Sequence, residues 1–581
     1  MPKEEGFSFK HLFAPLTTSK AIHWIVIVGI IVFFNSFFNG FVWDDKIYIL
    51  NNPGNLNIFY LFGPNMFNDS FYRPLSAAYF SLLYAVFGTS AFFYHFFQVS
   101  LHIINTILLF FIFKKFIKKH FALILSLIFL VHPIQVESAI FLSTALTPLS
   151  MFFGSLALVL SLNDKITTRR FILISLFLIV SLLVKETGAI FLVLVLTSRV
   201  LFHFDKKTIM NFVFIDVLIG CIYLFLRYAV GGVYLSASRI DIVPISTLTI
   251  FERLLSVPAI IFYYLKTFVF PNTLAIDQQW VVTTAGFWNF FFPLFVDLFF
   301  FLSCFILGIY LFQTSRKIFK FFLLFFIWFL LGLVFLLQIF PLDMTVADRF
   351  FYFPIVGLLG IIGACLNLLK PLANNRKLKL IGYISVIVVI ILLSVRSIVR
   401  NGNWYDELTL YSHDSKIYDS SGIETNLGAD YFSKQDYKNA LVHFEKSVDI
   451  LPSELNLFNV GLGYETMGNL QKARYFYQKA LLLKKYPTDK HKSIEINTIQ
   501  RLAFVYLLSN ENETARKFVQ QQLTEFPKNG LLLEYLAISE YRLNNYSQAL
   551  NDVIKAKQYI SNKEIDYVYT QINTKQTIQI H

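Results

Sequence analysis

The amino-acid sequence predicts an all-α protein in two parts, a polytopic membrane helix bundle followed by a solenoid of helical repeats. Three observations carry this reading. Of 581 residues, 56% are hydrophobic and only 15% are charged, against roughly 25% charged in an average soluble domain. Long apolar runs fill the chain up to about residue 398 and are almost missing beyond it, so the two parts meet different solvents. Beyond residue 426, small residues return at a spacing of 33 or 34 positions, the mark of stacked helical hairpins.

The net charge is +13, but Lys and Arg sit in short clusters between apolar runs. That pattern reports membrane sidedness, and no nucleic-acid partner is expected. Cys221, Cys304 and Cys365 all lie inside apolar segments, which excludes a disulfide framework and a thiolate zinc site.

A crossing helix needs about 20 apolar residues, and about eleven spans are read, near 21–39, 92–113, 121–136, 139–161, 171–184, 186–202, 209–228, 290–312, 321–340, 350–369 and 380–397. The first run is long and lacks a small-residue cleavage site, so it is read as an uncleaved span. Alternate loops carry 20 Lys and Arg on one side and 8 on the other. Positive residues stay cytoplasmic, which places the N-terminus in the cytoplasm and, after an odd number of crossings, the tail outside it. Residues 252–270 are apolar enough to span, yet a twelfth crossing would reverse every later loop. They are read as re-entrant or interfacial, with Lys266 and Tyr263–Tyr264 at headgroup level.

In the tail, Leu427, Gly428, Tyr431, Ala440, Phe444 and Pro452 have tetratricopeptide spacing, and Gly461, Tyr464, Ala473 and Tyr477 repeat it. Weaker copies follow around Ala503 and Ala515, and around Ala537 and Ala549. Four units exceed the roughly three needed for a continuous core. The expected domains are therefore a membrane domain over 1–397, a linker over 398–425 and a repeat domain over 426–581, the last a docking surface or a cap.

Polar residues gather at the outer ends of the spans. They are Trp43-Asp44-Asp45 with Asn51-Asn52-Pro53, then Tyr72-Arg73-Pro74, His132-Pro133 with Glu137, Lys185-Glu186, Arg227 and Asp348-Arg349, while His102 lies deeper in the second span. Each has an ordinary explanation: a solvated acidic pair, cations snorkelling to headgroups, histidines packing helices, or Glu137 and Glu186 paired with nearby cations. Their shared side favours a common cavity. There a carboxylate serves as general base and cations hold a phosphate leaving group, the requirements of a lipid-phosphate sugar whose displacement inverts the anomeric carbon.

The ordered set resembles the transmembrane and tetratricopeptide-repeat-containing O-mannosyltransferases and their prokaryotic relatives, of the membrane-embedded C-type glycosyltransferase superfamily. Its motifs run from Val42-Trp43-Asp44-Asp45 through Tyr72-Arg73-Pro74-Leu75, His95 to His102 with Asn105, His132-Pro133-Ile134-Gln135-Val136-Glu137 and Lys185-Glu186-Thr187 to Asp348-Arg349-Phe350-Phe351-Tyr352. The resemblance covers nearly the whole chain. It implies transfer of mannose from a polyprenyl-phosphate donor to protein Ser or Thr on the extracytoplasmic side. It further implies Asp44 and Asp45 as the catalytic acidic pair, with Asp44 favoured as base and Asp45 positioning the acceptor and the reverse division left open, Arg73, Lys185, Arg227 and Arg349 at the donor phosphate, and His102, His132, Glu137, Glu186 and Asp348 shaping the pocket. Residues 138–147 depart from the family in carrying no charge, which leaves donor or acceptor choice open.

No obligatory metal is expected, with a divalent cation as the alternative because the superfamily contains both kinds of enzyme. The expected partners are membrane lipids, the polyprenyl-phosphate sugar and a protein or peptide acceptor held by the repeats. A bacterial inner membrane is favoured, or the endoplasmic reticulum membrane in a eukaryote. Two alternatives stand beside this reading: the same donor serving a cell-envelope lipid or glycan, and a non-catalytic scaffold presenting its repeats.

Overall fold

The computed structural model describes residues 16–51, 72–230, 243–368, 376–483 and 489–579. Lys3, Lys10, Arg239 and Lys370 of the charge count, and Asn52 and Pro53 of the first outer loop, lie outside them. The chain divides into two compact units, Met1–Tyr418 and Asp419–His581. Among the described residues both are helical, and an isolated bridge between Gln278 and Val346 is the one β-type pairing.

The first unit holds α1 (Thr18–Phe33), α2 (Pro74–Phe87), α3 (Ala91–Phe116), α4 (Lys119–Val131), α5 (Val136–Ile140), α6 (Leu146–Ser161), α7 (Thr168–Val184) and α8 (Ala189–Phe202). There follow α9 (Lys206–Phe225), α10 (Pro244–Thr247), α11 (Ile250–Val269), α12 (Phe292–Thr314), α13 (Arg316–Val334), α14 (Pro354–Leu368), α15 (Arg376–Asn403) and α16 (Glu407–Asp414). Each of the eleven apolar segments contains a helix, but not every helix has the expected length. Seven helical stretches among the described residues are long and apolar enough to cross a membrane, and Lys119–Val131 with Pro133–Ile140, bent by 55°, would make an eighth. The bend falls at His132–Pro133, where proline removes a backbone donor and sends the preceding residue to extended geometry. The other three, α7, α8 and α14, have 17, 14 and 15 residues. Eleven of the fifteen residues of α14 are buried, so neighbouring helices cover most of it.

The segment read as re-entrant or interfacial is one continuous helix of 20 residues, α11, opened by a reciprocal capping box between Thr249 and Glu252. Tyr263 and Tyr264 are buried on one face, while Phe251, Leu254 and Val269 are exposed on another.

Helix directions are set by paired contacts. His120 lies against Tyr383 near the starts of α4 and α15, and Ser397 Oγ donates to Val131 O at 2.7 Å near their ends, so the two run in the same direction. The chain leaving α1 meets the chain leaving α15: Asn39 Nδ2 donates to Asn401 O at 3.0 Å and Gly40 N to Tyr405 O at 2.9 Å.

Residues 398–418, read as linker from the sequence, fall within the first unit. Trp404 and Leu410 are buried, and Arg400 forks onto Asp414 through Nη1–Oδ1 at 2.6 Å and Nη2–Oδ2 at 3.0 Å. A segment with its own buried ion pair and core residues belongs to the first unit.

The second unit stacks helix pairs α17 (Ser421–Ser433) with α18 (Tyr437–Ile450), α19 (Glu454–Thr466) with α20 (Leu470–Leu482), α21 (Asp489–Leu508) with α22 (Asn512–Leu523) and α23 (Gly530–Arg542) with α24 (Tyr546–Lys557), closed by α25 (Lys563–Thr574). Ala440, Ala473, Ala515 and Ala549, the residues that carry the repeat spacing, are completely buried. A Cβ at Gly461 would lie 2.6 Å from the Tyr477 ring, so glycine lets the paired helices touch.

Candidate active site

Asp44 and Asp45 follow Trp43, whose φ is +51°, a region that bulky L residues enter rarely and at a cost of about 1–3 kcal/mol. The two carboxylates have different surroundings. Asp45 is fully buried; its Oδ1 accepts from Ser143 N at 2.7 Å and Ser143 Oγ at 2.6 Å, and its Oδ2 from Val42 N at 3.2 Å. Burial outweighs these bonds and, with Asp44 alongside, pushes the Asp45 carboxyl up to about 7. Asp44 is half-buried, and its charge acts on Tyr48 and on Arg349.

Four cations were expected at this end, and three converge. Arg73, just before the proline that opens α2, donates from Nε to Glu186 Oε2 at 2.9 Å and from Nη2 to Oε1 at 2.5 Å. Arg349 Nη1 reaches Glu137 Oε1 at 2.5 Å while its backbone N–H donates to Oε2 at 2.9 Å. Its Nη2 reaches Asp343 Oδ2 at 3.1 Å. Lys185 Nζ donates to Thr147 Oγ1 at 2.7 Å and, among the described residues, forms no ion pair. Burial, together with the charges of Arg73 and Arg349, depresses the Lys185 ammonium to about 7 against the opposing pull of Glu186 and Asp343. Asp343, a half-exposed carboxylate absent from the sequence reading, acts on Arg73, Lys185 and Arg349 alike.

The fourth cation, Arg227, stands in the π-turn Leu226–Val230 and interacts with Tyr223, which lies next to Tyr72. It borders the cluster through these rings and is not seen touching its carboxylates.

The remaining expected pocket residues bond to neighbouring elements. His132 Nδ1 accepts from Ile134 N at 3.2 Å, so its Nε2 carries the proton donated to Phe268 O at 2.9 Å. His102 joins Tyr352 OH at 3.0 Å and Leu130 O at 3.1 Å, a packing role between helices. Asp348 is buried and accepts from Tyr263 OH at 3.1 Å; burial and the charge of Glu137 hold its carboxyl well above the ordinary range. Among the described residues no three His, Cys, Asp or Glu side chains gather as metal ligands.

Sequence reasoning missed Asp343, Ser143, Thr147 and Glu407. Glu407 accepts from Trp43 N at 3.1 Å through Oε1 and pairs with Lys46 through Oε2. Ser143 and Thr147 come from the stretch notable only for its lack of charge, where hydroxyls next to the acidic and basic motifs were the available signal.

No family model matches the chain. It is similar to protein O-mannosyl-transferase F38B6.6 of Caenorhabditis elegans, 24% identical over 74% of this chain and 62% of that protein. It is also similar to protein O-mannosyl-transferase TMTC3 of Mus musculus and of Homo sapiens, each 23% identical over 39% of this chain and 25% of theirs. The chain thus spans less than two thirds of the length of these relatives. A solved tetratricopeptide domain of P58(IPK) aligns with 47% of the chain and 97% of its own length at 11% identity and a TM-score of 0.19, too loose a superposition to argue from.

Proposed function

We propose that this chain is an integral-membrane glycosyltransferase that moves mannose from a polyprenyl-phosphate donor to Ser or Thr hydroxyls of extracytoplasmic proteins, with inversion. The observation that carries the proposal is that Arg73 and Arg349 both act on Lys185 while Asp44 acts on Arg349, which groups three cations and a carboxylate. The relatives named protein O-mannosyl-transferases favour mannose and a protein acceptor.

In this mechanism the acceptor oxygen attacks the anomeric carbon, forming the new C–O bond as the bond from that carbon to the phosphate oxygen breaks. Asp44 takes the hydroxyl proton, a contribution of about 10²–10⁴ in rate. The leaving phosphate carries its electron pair to the cations. Lys185 is the most available of them, because Arg73 and Arg349 already face Glu186 and Glu137; binding a phosphate restores the charge that burial removes from it. Asp45, with both oxygens taken by backbone and hydroxyl donors, holds the loop in shape in place of touching the acceptor. Arg227 serves at the rim of the donor site.

Sidedness is supported by the meeting of the chains that leave α1 and α15, which fits an odd number of crossings and an extracytoplasmic repeat unit. The repeats then hold acceptor protein. The experiment is transfer from radiolabelled polyprenyl-phosphate mannose to proteins by the purified full chain, with Asp44→Asn as comparison. Transfer abolished in the variant is expected; transfer retained by an equally folded variant refutes Asp44 as base.

A further inference from the structure

We infer that Glu407, beyond the last apolar helix, is a positioning residue that aims Asp44 by holding Trp43 in its left-handed backbone conformation; the inference rests on the function proposed above. A tryptophan at φ +51° needs outside restraint, since the same residue relaxes readily to negative φ when nothing opposes it. Three restraints meet at Trp43. Its N–H donates to Glu407 Oε1 at 3.1 Å, its indole stacks on Phe141 with ring centroids 5.8 Å apart and planes 7° from parallel, and Lys46, three residues on, pairs with the other Glu407 oxygen.

Glu407 is itself fixed. It opens α16, whose N-cap Asp406 accepts from Thr409 N at 2.8 Å. The residues before it are tied to the same loop: Tyr405 O accepts from Gly40 N at 2.9 Å, and the Trp404 ring also packs against Phe141, with centroids 5.2 Å apart. A clamp built from residues 404–407 therefore closes on residues 40–46. Within it Asp45 is anchored to Ser143, so Asp44 lies between a strained residue and an immobile one, and its direction is set by both.

The pair adds little to stability, because the Lys46 side chain is 45% exposed and that of Glu407 18%, where solvent screens an ion pair. What Glu407 supplies is geometry. A displacement of about 1 Å at a general base costs up to about 10² in rate, with no requirement that donor binding change.

The test compares kcat and donor KM for the full chain, Glu407→Ala, Glu407→Gln and Asp44→Asn, alongside hydrogen exchange at the Trp43 amide. Expected for Glu407→Ala is a kcat lowered by about 10–100-fold with donor KM within about 3-fold of the parent, and faster exchange at Trp43. Glu407→Gln keeps an acceptor for the Trp43 N–H and is expected to retain most of the rate. A wild-type kcat in Glu407→Ala, in a protein whose Asp44→Asn variant is dead, overturns the inference and leaves the proposed function standing. Absence of transfer by wild type removes both. Unchanged exchange at Trp43 in Glu407→Ala overturns the clamp whatever the activity.

Discussion

Arg73 and Glu186 form a two-bond fork across 113 residues of sequence, with Nε–Oε2 at 2.9 Å and Nη2–Oε1 at 2.5 Å. It ties the start of α2 to the turn between α7 and α8. Burial alone would raise the Glu186 carboxyl, but the charge and hydrogen bonds of Arg73, helped by Lys185, hold it down at about 2. A carboxylate depressed on folding contributes stability that is present above its unfolded pKa, near 4.5, and is lost as pH falls toward 2.

Glu186→Gln leaves a largely buried guanidinium without its charge partner, a loss of about 3–5 kcal/mol for a buried pair broken on one side. Thermal unfolding in detergent at pH 7 reads it, and Arg73→Lys is expected to recover only part, since an ammonium cannot make the fork. Stability equal to the parent in Glu186→Gln would show that the pair is not structural.

The proposed role of Lys185 at the donor phosphate predicts a donor affinity that depends on pH in a definite direction. Its ammonium is held at about 7 by burial and by two neighbouring arginines, so above that pH the empty site holds a neutral amine. Phosphate binding then requires proton uptake, and donor KM is expected to rise about tenfold per pH unit above 7. Between pH 7 and the unfolded value near 10.5 the unfolded chain binds the extra proton, so Lys185's contribution to stability rises with pH in that window. Lys185→Arg is expected to flatten the KM profile and Lys185→Met to raise KM at all pH values. A flat wild-type profile from pH 6 to 9 contradicts the assignment.

The bundle is legible in the sequence because each span must be apolar for its own length, whatever its neighbours. The expected sidedness groups Asp44, Arg73, Lys185, Glu186 and Arg349 in the sequence for the same reason: a charge at a span end has only two faces to occupy. Pairing is not legible. Glu137 could serve any of the nearby cations, and only the fold brings Arg349 to it across 212 residues. Glu407 reads as linker, since a polar stretch after the last apolar run looks the same packed or extended. The length of α14 is hidden too, because an apolar helix mostly covered by protein has the composition of one facing lipid.

The two adjacent aspartates are expected to fail differently. Asp44→Asn removes the proposed base and is expected to lower kcat by about 10²–10⁴. Asp45→Asn turns one oxygen into a donor, so its amide opposes either Val42 N–H or the donors of Ser143. That leaves a buried polar group unsatisfied at a cost of about 1–3 kcal/mol. The Asp45 carboxyl is raised on folding to about 7, so its ionisation weakens the fold as pH climbs from about 4 to 7. Thermal unfolding and kcat measured on both variants separate the roles; equal loss of kcat with no loss of stability in Asp45→Asn would give Asp45 a direct part in the chemistry.

Gly357 allows α14 to approach the backbone of α13. A Cβ there would lie 2.3 Å from Phe329 N and 2.7 Å from Phe325 O, both backbone atoms of α13. A side chain could turn aside, but a helix backbone must translate, so Gly357→Ala pushes α14 off α13. Overpacking of this kind costs about 1–3 kcal/mol, and small residues at such contacts are what allow membrane helices to approach closely. Because the turn Asp348–Tyr352 leads directly into α14, the displacement moves Arg349 relative to Glu137. Gly357→Ala is therefore expected to lower thermal stability and raise donor KM together. Gly382→Ala is the matched control, since a Cβ there meets nothing within 4 Å, and it should leave both unchanged. If Gly357→Ala behaves like that control, α13 and α14 are not packed backbone to backbone.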